Sequence, residues 1–309
     1  MNRVDSGAFP GAQLSRRSAI GRLAGAGAAA ALAASRLGKP QDAALAASSS
    51  LRSSVTTQEA IAMTSASPTA NTSLTVVLVH GAFADGSSWA GVIPALRGTG
   101  RSIVAPPNPL RGISTDSAYS ASFLRQVKGP VLLVGHSYGG AVITNAASQV
   151  DNVLGLVYVD AFLPDQGETL QGLAANAKDS LIFPALRPAE YPNGSSAKPG
   201  TEFFIDPASF HAVFCADVSA AQAAELAITQ RPLSEVAFGE PTQHPAWKKL
   251  PSWAVIGTAD KVIGLTGLRA MAKRAHAIMV ELDGASHVSM ISQPKAVADL
   301  ITTAMETVA

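Results

Sequence analysis

The chain contains 309 residues, of which 47% are hydrophobic and 15% charged, and its formal net charge at pH 7 is +1. This composition is typical of a soluble globular protein with one large core, and it excludes a disordered or coiled-coil chain. A charge near neutrality gives no electrostatic reason to expect nucleic acid or an anionic membrane as a partner.

Residues 1–46 are predicted to form a twin-arginine export signal. Arg16 and Arg17 precede a weakly apolar run, residues 23–34, that consists mostly of Ala and Gly, as in signals of this type. The run is too short and too poor in large apolar side chains for a stable membrane span. We therefore expect export to the periplasm or the cell exterior, with a flexible leader over residues 47–73. An alanine-rich disordered tail is the alternative interpretation.

Short β-rich runs alternate with helical stretches from residue 74 onward, which predicts an α/β fold with a mostly parallel sheet and helices on both faces. Several of the runs are nearly continuous Val, Leu and Ile, as strands buried on both faces must be. The predicted strands are residues 74–79, 101–104, 131–134, 153–159, 253–256 and 278–282. The predicted helices lie around residues 88–97, 115–127, 140–150, 266–273 and 295–307.

The segment between the fourth and fifth predicted strands is too long for a simple crossover. It contains many prolines, several aromatic side chains and an alanine-rich helical piece over residues 219–229. We predict an inserted, mainly helical cap over about residues 162–248, within a domain that spans residues 74–309. Cys215, the single cysteine of the chain, lies in this insertion and is expected to be a packed core thiol.

The pentapeptide Gly-His-Ser-Tyr-Gly at residues 135–139 directly follows the third predicted strand and precedes a predicted helix. In this strand–turn–helix context a Gly-x-Ser-x-Gly sequence holds its serine in a strained turn, with the hydroxyl exposed above the sheet. Ser137 is therefore the predicted nucleophile.

A serine hydroxyl needs a base within hydrogen-bond reach, and the base needs an acid to orient it. With this turn the order along the chain is Ser, acid, His. His287 lies in a loop of small residues after the last predicted strand, where α/β folds place reactive groups. His276 precedes that strand, while His211 and His244 fall within the insertion, so His287 is the predicted base.

The acid is expected after the preceding strand. Asp260 follows the strand at residues 253–256 and would hold the imidazole in the tautomer that accepts the serine proton. Asp160 is a competitor, because it also lies at the carboxyl end of a predicted strand. Asp283 is too near His287 in sequence to face its ring easily.

The anionic oxygen of a tetrahedral intermediate needs two hydrogen-bond donors. One is expected to be the backbone N–H of Tyr138, next to the nucleophile, and the other to come from the loop at residues 80–83. Gly81 would let that loop approach the site, while His80 is expected to be structural. The sequence contains no phosphate-binding loop and no metal-binding spacing of His or Cys, so we expect no cofactor and no metal.

Together these residues resemble the α/β-hydrolase superfamily over nearly all of residues 74–309. Residues 79–89 look like the oxyanion loop of a branch that contains bacterial serine esterases, plant methyl esterases and hydroxynitrile lyases, and residues 158–164 are similar to its strand-to-cap transition. The resemblance implies a carboxylesterase-like serine hydrolase acting on small-molecule esters. It implies a triad of Ser137, Asp260 and His287, with Ala82 and Tyr138 as oxyanion donors.

Departures from the family pattern narrow the expected activity. Hydroxynitrile lyases of the branch carry threonine where Gly81 stands and lysine where Val288 stands, which disfavours cyanohydrin cleavage. Lactonase and cofactor-free haloperoxidase activities stay open, as does a non-catalytic ligand-binding protein of the same fold. The sequence leaves the ester and the oligomeric state unspecified.

Overall fold

The computed structural model describes residues 73–194, 196 and 198–309. The predicted export signal, and all of the predicted leader except its last residue, lie outside this part of the chain. The strands are β1 (Thr75–Val79), β2 (Ser102–Val104), β3 (Val131–His136), β4 (Val153–Val159), β5 (Leu186–Tyr191), β6 (Gly200–Ile205), β7 (Leu233–Ser234), β8 (Ser252–Gly257) and β9 (Ile278–Leu282).

The α-helices are α1 (Ile93–Arg97), α2 (Ile113–Leu124), α3 (Tyr138–Ala146), α4 (Leu170–Asn176), α5 (Ile182–Ala185), α6 (Pro207–Phe214), α7 (Ala220–Thr229), α8 (Glu235–Gly239), α9 (Leu265–Arg274), α10 (Ser289–Ser292) and α11 (Pro294–Val308). Short 3₁₀ helices lie at Gly86–Trp89, Ala147–Gln149 and Ala246–Lys248. Among the residues described, no helix is both long and apolar enough to cross a membrane.

The main sheet has six strands in the order β2-β1-β3-β4-β8-β9, and every neighbouring pair is parallel. These are the six strands predicted from the sequence, and the predicted α/β fold is confirmed. Every residue of β1, β3 and β8 is buried, which requires cover on both faces of the sheet. Helix α11 packs against β3, β4 and β8, while α2 and α3 pack against each other.

Parallel strands bring their carboxyl ends to a single edge of the sheet, where α/β folds place their ligands. The loop after β1, the turn after β3 and the loops after β4, β8 and β9 carry the residues that the sequence indicates. The four strands β1, β3, β4 and β8 are consecutive neighbours, and β9 lies beside β8. Residues far apart in the chain therefore meet above the centre of the sheet.

The insertion between β4 and β8 contains helices α4 to α8 together with a small antiparallel sheet of order β5-β6-β7. The sequence predicted the helical part of this cap but not its sheet. Strand β5 contains Pro188 and consists of half-buried and exposed residues. It lies at the edge of its sheet, where a proline is tolerated because no ladder N–H is needed.

Candidate active site

Ser137 lies in the turn between β3 and α3 and adopts a left-handed backbone conformation, with φ +52° and ψ −122°. The turn is possible because glycine stands on either side of it. A Cβ atom on Gly135 would lie 2.6 Å from the carbonyl oxygen of Gly139, and one on Gly139 would lie 2.5 Å from that of Val79. A non-glycine residue with positive φ is strained, so the surrounding packing holds the serine in place.

The side chains of Ser137, His287 and Asp260 form one hydrogen-bonded chain. His287 Nε2 lies 2.8 Å from Ser137 Oγ, and His287 Nδ1 lies 2.6 Å from Asp260 Oδ2. Since the carboxylate accepts, Nδ1 carries the proton of the neutral ring and Nε2 accepts from the serine hydroxyl. The imidazole and carboxylate are fully buried, so water does not compete for these bonds.

The second oxygen of Asp260 is held by the turn that follows β8. Oδ1 accepts hydrogen bonds from the backbone N–H groups of Val262, Ile263 and Gly264, at 2.8, 2.9 and 3.3 Å. These bonds fix the orientation of the carboxyl group, which leaves Oδ2 directed at His287.

The loop after β1 packs directly on the turn that carries Ser137. A Cβ atom on Gly81 would lie 2.7 Å from Ser137 Cβ, so glycine is required for this approach. His80 is buried, its Nδ1 donates to the carbonyl oxygen of Gly81 at 2.9 Å, and its Nε2 accepts from the N–H of Asn108 at 3.0 Å. Burial lowers the pKa of His80. Both ring nitrogens are therefore used in holding the loop.

Ala82 and Tyr138 line the same apolar cavity as Ser137. Within the part of the chain that the structure describes, neither of their backbone N–H groups donates a hydrogen bond to another protein group. Buried backbone donors are nearly always paired, so these two groups are available to an acceptor placed beside the serine.

This arrangement agrees with a match to a family defined by sequence. The sequence pattern of the Alpha/beta hydrolase family matches residues 76–300. The chain belongs to this family. The match runs from β1 into the first half of α11 and so includes every residue of the hydrogen-bonded chain described above.

Relatives within the α/β-hydrolase family include proteins with different activities. The chain is 36% identical over 114 residues to a carbendazim hydrolyzing esterase of Nocardioides sp. (strain SG-4G), which covers 33% of this chain and 47% of the relative. It is 32% identical over 103 residues to an alpha-hydroxynitrile lyase of Arabidopsis thaliana, and this alignment covers 29% of this chain and 40% of the lyase. The chain spans about half the length of these curated relatives, or less. The resemblance to the branch of esterases and hydroxynitrile lyases is confirmed.

A solved structure shares the fold of this chain. The structure of polyneuridine aldehyde esterase aligns with a TM-score of 0.65 and 18% identity, covering 75% of this chain and 99% of that protein. Nearly the whole length of that enzyme is therefore matched by the core and cap of this chain.

A narrow apolar cavity of about 20 Å³ lies between Ser137 and the cap. Its lining side chains are apolar apart from Ser137 and Tyr138. The lining comprises Ala82, Phe83, Ser137, Tyr138, Phe162, Leu170, Ala174, Ile182, Leu233, Phe238 and Val262. Ser137 is only 4% exposed, so the cap closes over it. A larger cleft of about 460 Å³, between residues 147–153 and 243–250, touches none of the candidate residues.

The structure also places the residues that competed for these roles. Asp160 contacts Gly257 and Ser289 but not the ring of His287. His276 precedes β9 and is exposed, and Asp283 accepts from the hydroxyl of Thr258. None of these residues joins the chain from Ser137 to Asp260.

Two buried or bridging carboxylates near the site were not indicated by the sequence. Asp116 on α2 accepts from the hydroxyl of Tyr138 at 2.7 Å and from the N–H of Arg111 at 3.0 Å, and burial raises its pKa. Asp217 of the cap accepts from the N–H of Ser286 at 3.0 Å and also bonds its hydroxyl. Each carboxylate contacts a residue that is distant in the sequence, so no local sequence pattern indicates it.

Proposed function

We propose that the protein hydrolyses carboxylic esters of small molecules through an acyl-enzyme formed on Ser137. The observation that carries this proposal is the continuous hydrogen-bonded chain from Ser137 Oγ through both nitrogens of His287 to Asp260. A buried base aligned on a strained serine is the arrangement that activates a hydroxyl for acyl transfer.

In the proposed reaction Ser137 Oγ attacks the ester carbonyl carbon while its proton passes to His287 Nε2. The carbonyl oxygen becomes anionic in the tetrahedral intermediate, and Asp260 stabilises the imidazolium. Collapse of the intermediate breaks the bond to the alkoxide, which leaves with the proton from His287. Water then attacks the acyl carbon, gives its proton to His287 and releases the acid, and the proton returns to Ser137.

The N–H groups of Ala82 and Tyr138 are the proposed donors to the anionic oxygen. Their place beside Ser137 in the apolar cavity, without another acceptor among the described residues, supports this role. The hydrogen bond from the Tyr138 hydroxyl to Asp116 anchors the residue whose N–H is used. Fixed donors of this kind contribute most where water is excluded.

The apolar lining of the cavity favours substrates whose group next to the carbonyl is uncharged and hydrophobic, since a charged group would lose its hydration without a partner. A volume of about 20 Å³ holds little more than one water molecule. We therefore propose that the cap moves away from Ser137 to admit an ester.

Ester hydrolysis is favoured over cyanohydrin cleavage by the surroundings of Gly81 and Val288. A threonine in place of Gly81 would bring its Cβ within 2.7 Å of Ser137 Cβ. The residue after His287 is valine, so this position carries no amine that could act on a leaving group. Both features distinguish this chain from the lyase pattern.

We also propose that the protein is exported through its twin-arginine segment, which supplies a paired-Arg motif ahead of a weakly apolar run. The test is fractionation of cells that produce the full chain. Replacement of Arg16 and Arg17 by Lys should retain the protein in the cytoplasm, and secretion of that double variant would contradict export by this route.

The catalytic proposal is tested with p-nitrophenyl esters of graded acyl length. Ser137→Ala should abolish hydrolysis and leave the far-UV circular dichroism spectrum unchanged. Ser148→Ala, which removes an exposed serine near the end of α3, is the matched control and should retain full activity. Substantial hydrolysis by Ser137→Ala would refute the assignment.

A further inference from the structure

Asp160 is a fully buried carboxyl group at the carboxyl end of β4 that takes no part in the proposed proton transfer. Its backbone is in the left-handed region, with φ +45°. Such strain in a non-glycine residue persists only where the surroundings fix it. Burial of an ionisable group is also unfavourable unless it is well hydrogen-bonded. Its retention at this position therefore calls for an explanation.

Both oxygens of Asp160 accept hydrogen bonds from the segments that carry Asp260 and His287. Oδ1 accepts from the N–H of Gly257, the last residue of β8, at 2.7 Å. Oδ2 accepts from the N–H of Ser289 at 3.1 Å and from its hydroxyl at 2.5 Å. Gly257 immediately precedes the turn of Asp260, and Ser289 lies just after His287. A single side chain thus ties the acid turn to the histidine loop.

Burial, Asp260 and His287 are the main influences on the pKa of Asp160. Asp260 opposes the ionisation of Asp160 and His287 favours it, while burial is the largest influence and raises the pKa of Asp160 to about 7. Among the described residues, no Lys or Arg forms an ion pair with it. Asp160 is therefore held in place by hydrogen bonds and not by a neighbouring Lys or Arg.

We propose that Asp160 is a positioning residue for the hydrolytic reaction, which holds Asp260 and His287 in register through its hydrogen bonds to Gly257 and Ser289. This inference rests on the proposed acyl-enzyme mechanism. Asp160 makes no hydrogen bond to Ser137 and does not line the cavity, so it acts through the turn of Asp260 and the loop of His287.

The test compares Asp160→Asn with wild type in two assays. Covalent labelling of Ser137 by a fluorophosphonate, in which Oγ displaces fluoride from phosphorus, measures nucleophile activation without the correct ester. Hydrolysis of a p-nitrophenyl ester separates kcat from KM. Asp283→Asn, which removes an exposed carboxylate from the loop after β9, is the control.

Asp160→Asn should lower the labelling rate and kcat by roughly tenfold or more, as small displacements of a catalytic group do, with little change in KM. Since KM reports ester binding and kcat the activation of Ser137, this split places the loss in the hydrogen-bonded chain. A side chain that only stabilises the fold would not lower the labelling rate and kcat of the folded protein while KM stays the same. A labelling rate and a kcat equal to those of Asp283→Asn would overturn the proposal.

Ser289→Ala tests the same proposal if Asp160→Asn does not fold. It removes one hydrogen bond to Asp160 and keeps the carboxyl group itself. Ser292→Ala lies in the same short helix, does not contact Asp160, and is its matched control. Ser289→Ala should label Ser137 about threefold or more slowly than Ser292→Ala. Equal labelling rates for Ser289→Ala and Ser292→Ala would overturn the proposal, whereas failure of wild type to label would instead refute the proposed function.

Discussion

His136 donates a hydrogen bond from Nε2 to the carbonyl oxygen of His287, over 2.9 Å, and both residues are fully buried. His136 directly precedes Ser137, so this bond joins the turn of the serine to the loop of the histidine. Burial lowers the pKa of His136 well below its usual value, which keeps the ring neutral. The distance between Ser137 and His287 therefore depends on backbone as well as side-chain contacts.

Replacement of His136 by Phe should lower the free energy of unfolding by about 1–3 kcal/mol, because it leaves the His287 carbonyl buried without a donor. Fluorophosphonate labelling of Ser137 should slow as the loop shifts. Chemical denaturation and labelling rates measure the two effects. His244→Gln, at an exposed position, is the control, and a His136→Phe variant as stable and reactive as that control would contradict the argument.

Asp260→Asn should reduce kcat by roughly 10⁴-fold while the fold is maintained, because an amide does not hold the neutral imidazole in the tautomer that accepts the serine proton. Steady-state hydrolysis of a p-nitrophenyl ester gives the loss, and circular dichroism checks the fold. If the variant kept more than about a tenth of wild-type kcat, Asp260 would not be the orienting acid.

Gly81→Ala should reduce kcat by roughly a hundredfold or more, since its Cβ would collide with Ser137 and displace the N–H of Ala82. Gly239→Ala is a matched control, because a Cβ there meets no atom within 4 Å. Kinetics of the two variants on one ester measure the contrast. Equal activity of both variants would show that the loop tolerates the added methyl group.

The stability of wild type relative to Asp160→Asn should fall as pH rises from about 4 to about 7. The pKa of Asp160 is raised to about 7 in the folded protein and is about 3.9 when unfolded. Between these values the folded state binds a proton that the unfolded state has released, so the free energy of unfolding decreases with pH. Asn does not titrate and lacks this dependence.

Thermal unfolding of wild type and Asp160→Asn across pH 4–7 measures this difference, with Asp283→Asn as the control. The Tm of Asp160→Asn should rise relative to that of wild type through the range. A difference in Tm that stays constant would show that Asp160 releases its proton equally in both states.

The main sheet was predictable because strands buried on both faces must be apolar throughout. Residues 131–134 and 253–256 are continuous apolar runs, and the structure extends each by at most two residues. The order of Ser137, Asp260 and His287 along the chain was equally readable, since each follows a parallel strand. Local sequence therefore contains both the strands and the positions directly after them.

The cap sheet and the contacts between loops could not be predicted in the same way. Strand β5 has half-buried and exposed residues and contains Pro188, so neither periodicity nor composition marks it as a strand. The bonds of Asp160 and His136 to the histidine loop join residues more than a hundred positions apart. Such pairs depend on the order of strands in the sheet, which no local pattern specifies.

The position of Cys215 gives an experimental advantage. This thiol is the single one in the chain, it is buried, and burial raises its pKa to about 12, so reagents for thiolates react with it slowly at neutral pH. A cysteine introduced at Ile228, which is 85% exposed on cap helix α7, would accept a fluorophore or spin label selectively. The proposed displacement of the cap is thus open to direct spectroscopic observation without prior removal of a native thiol.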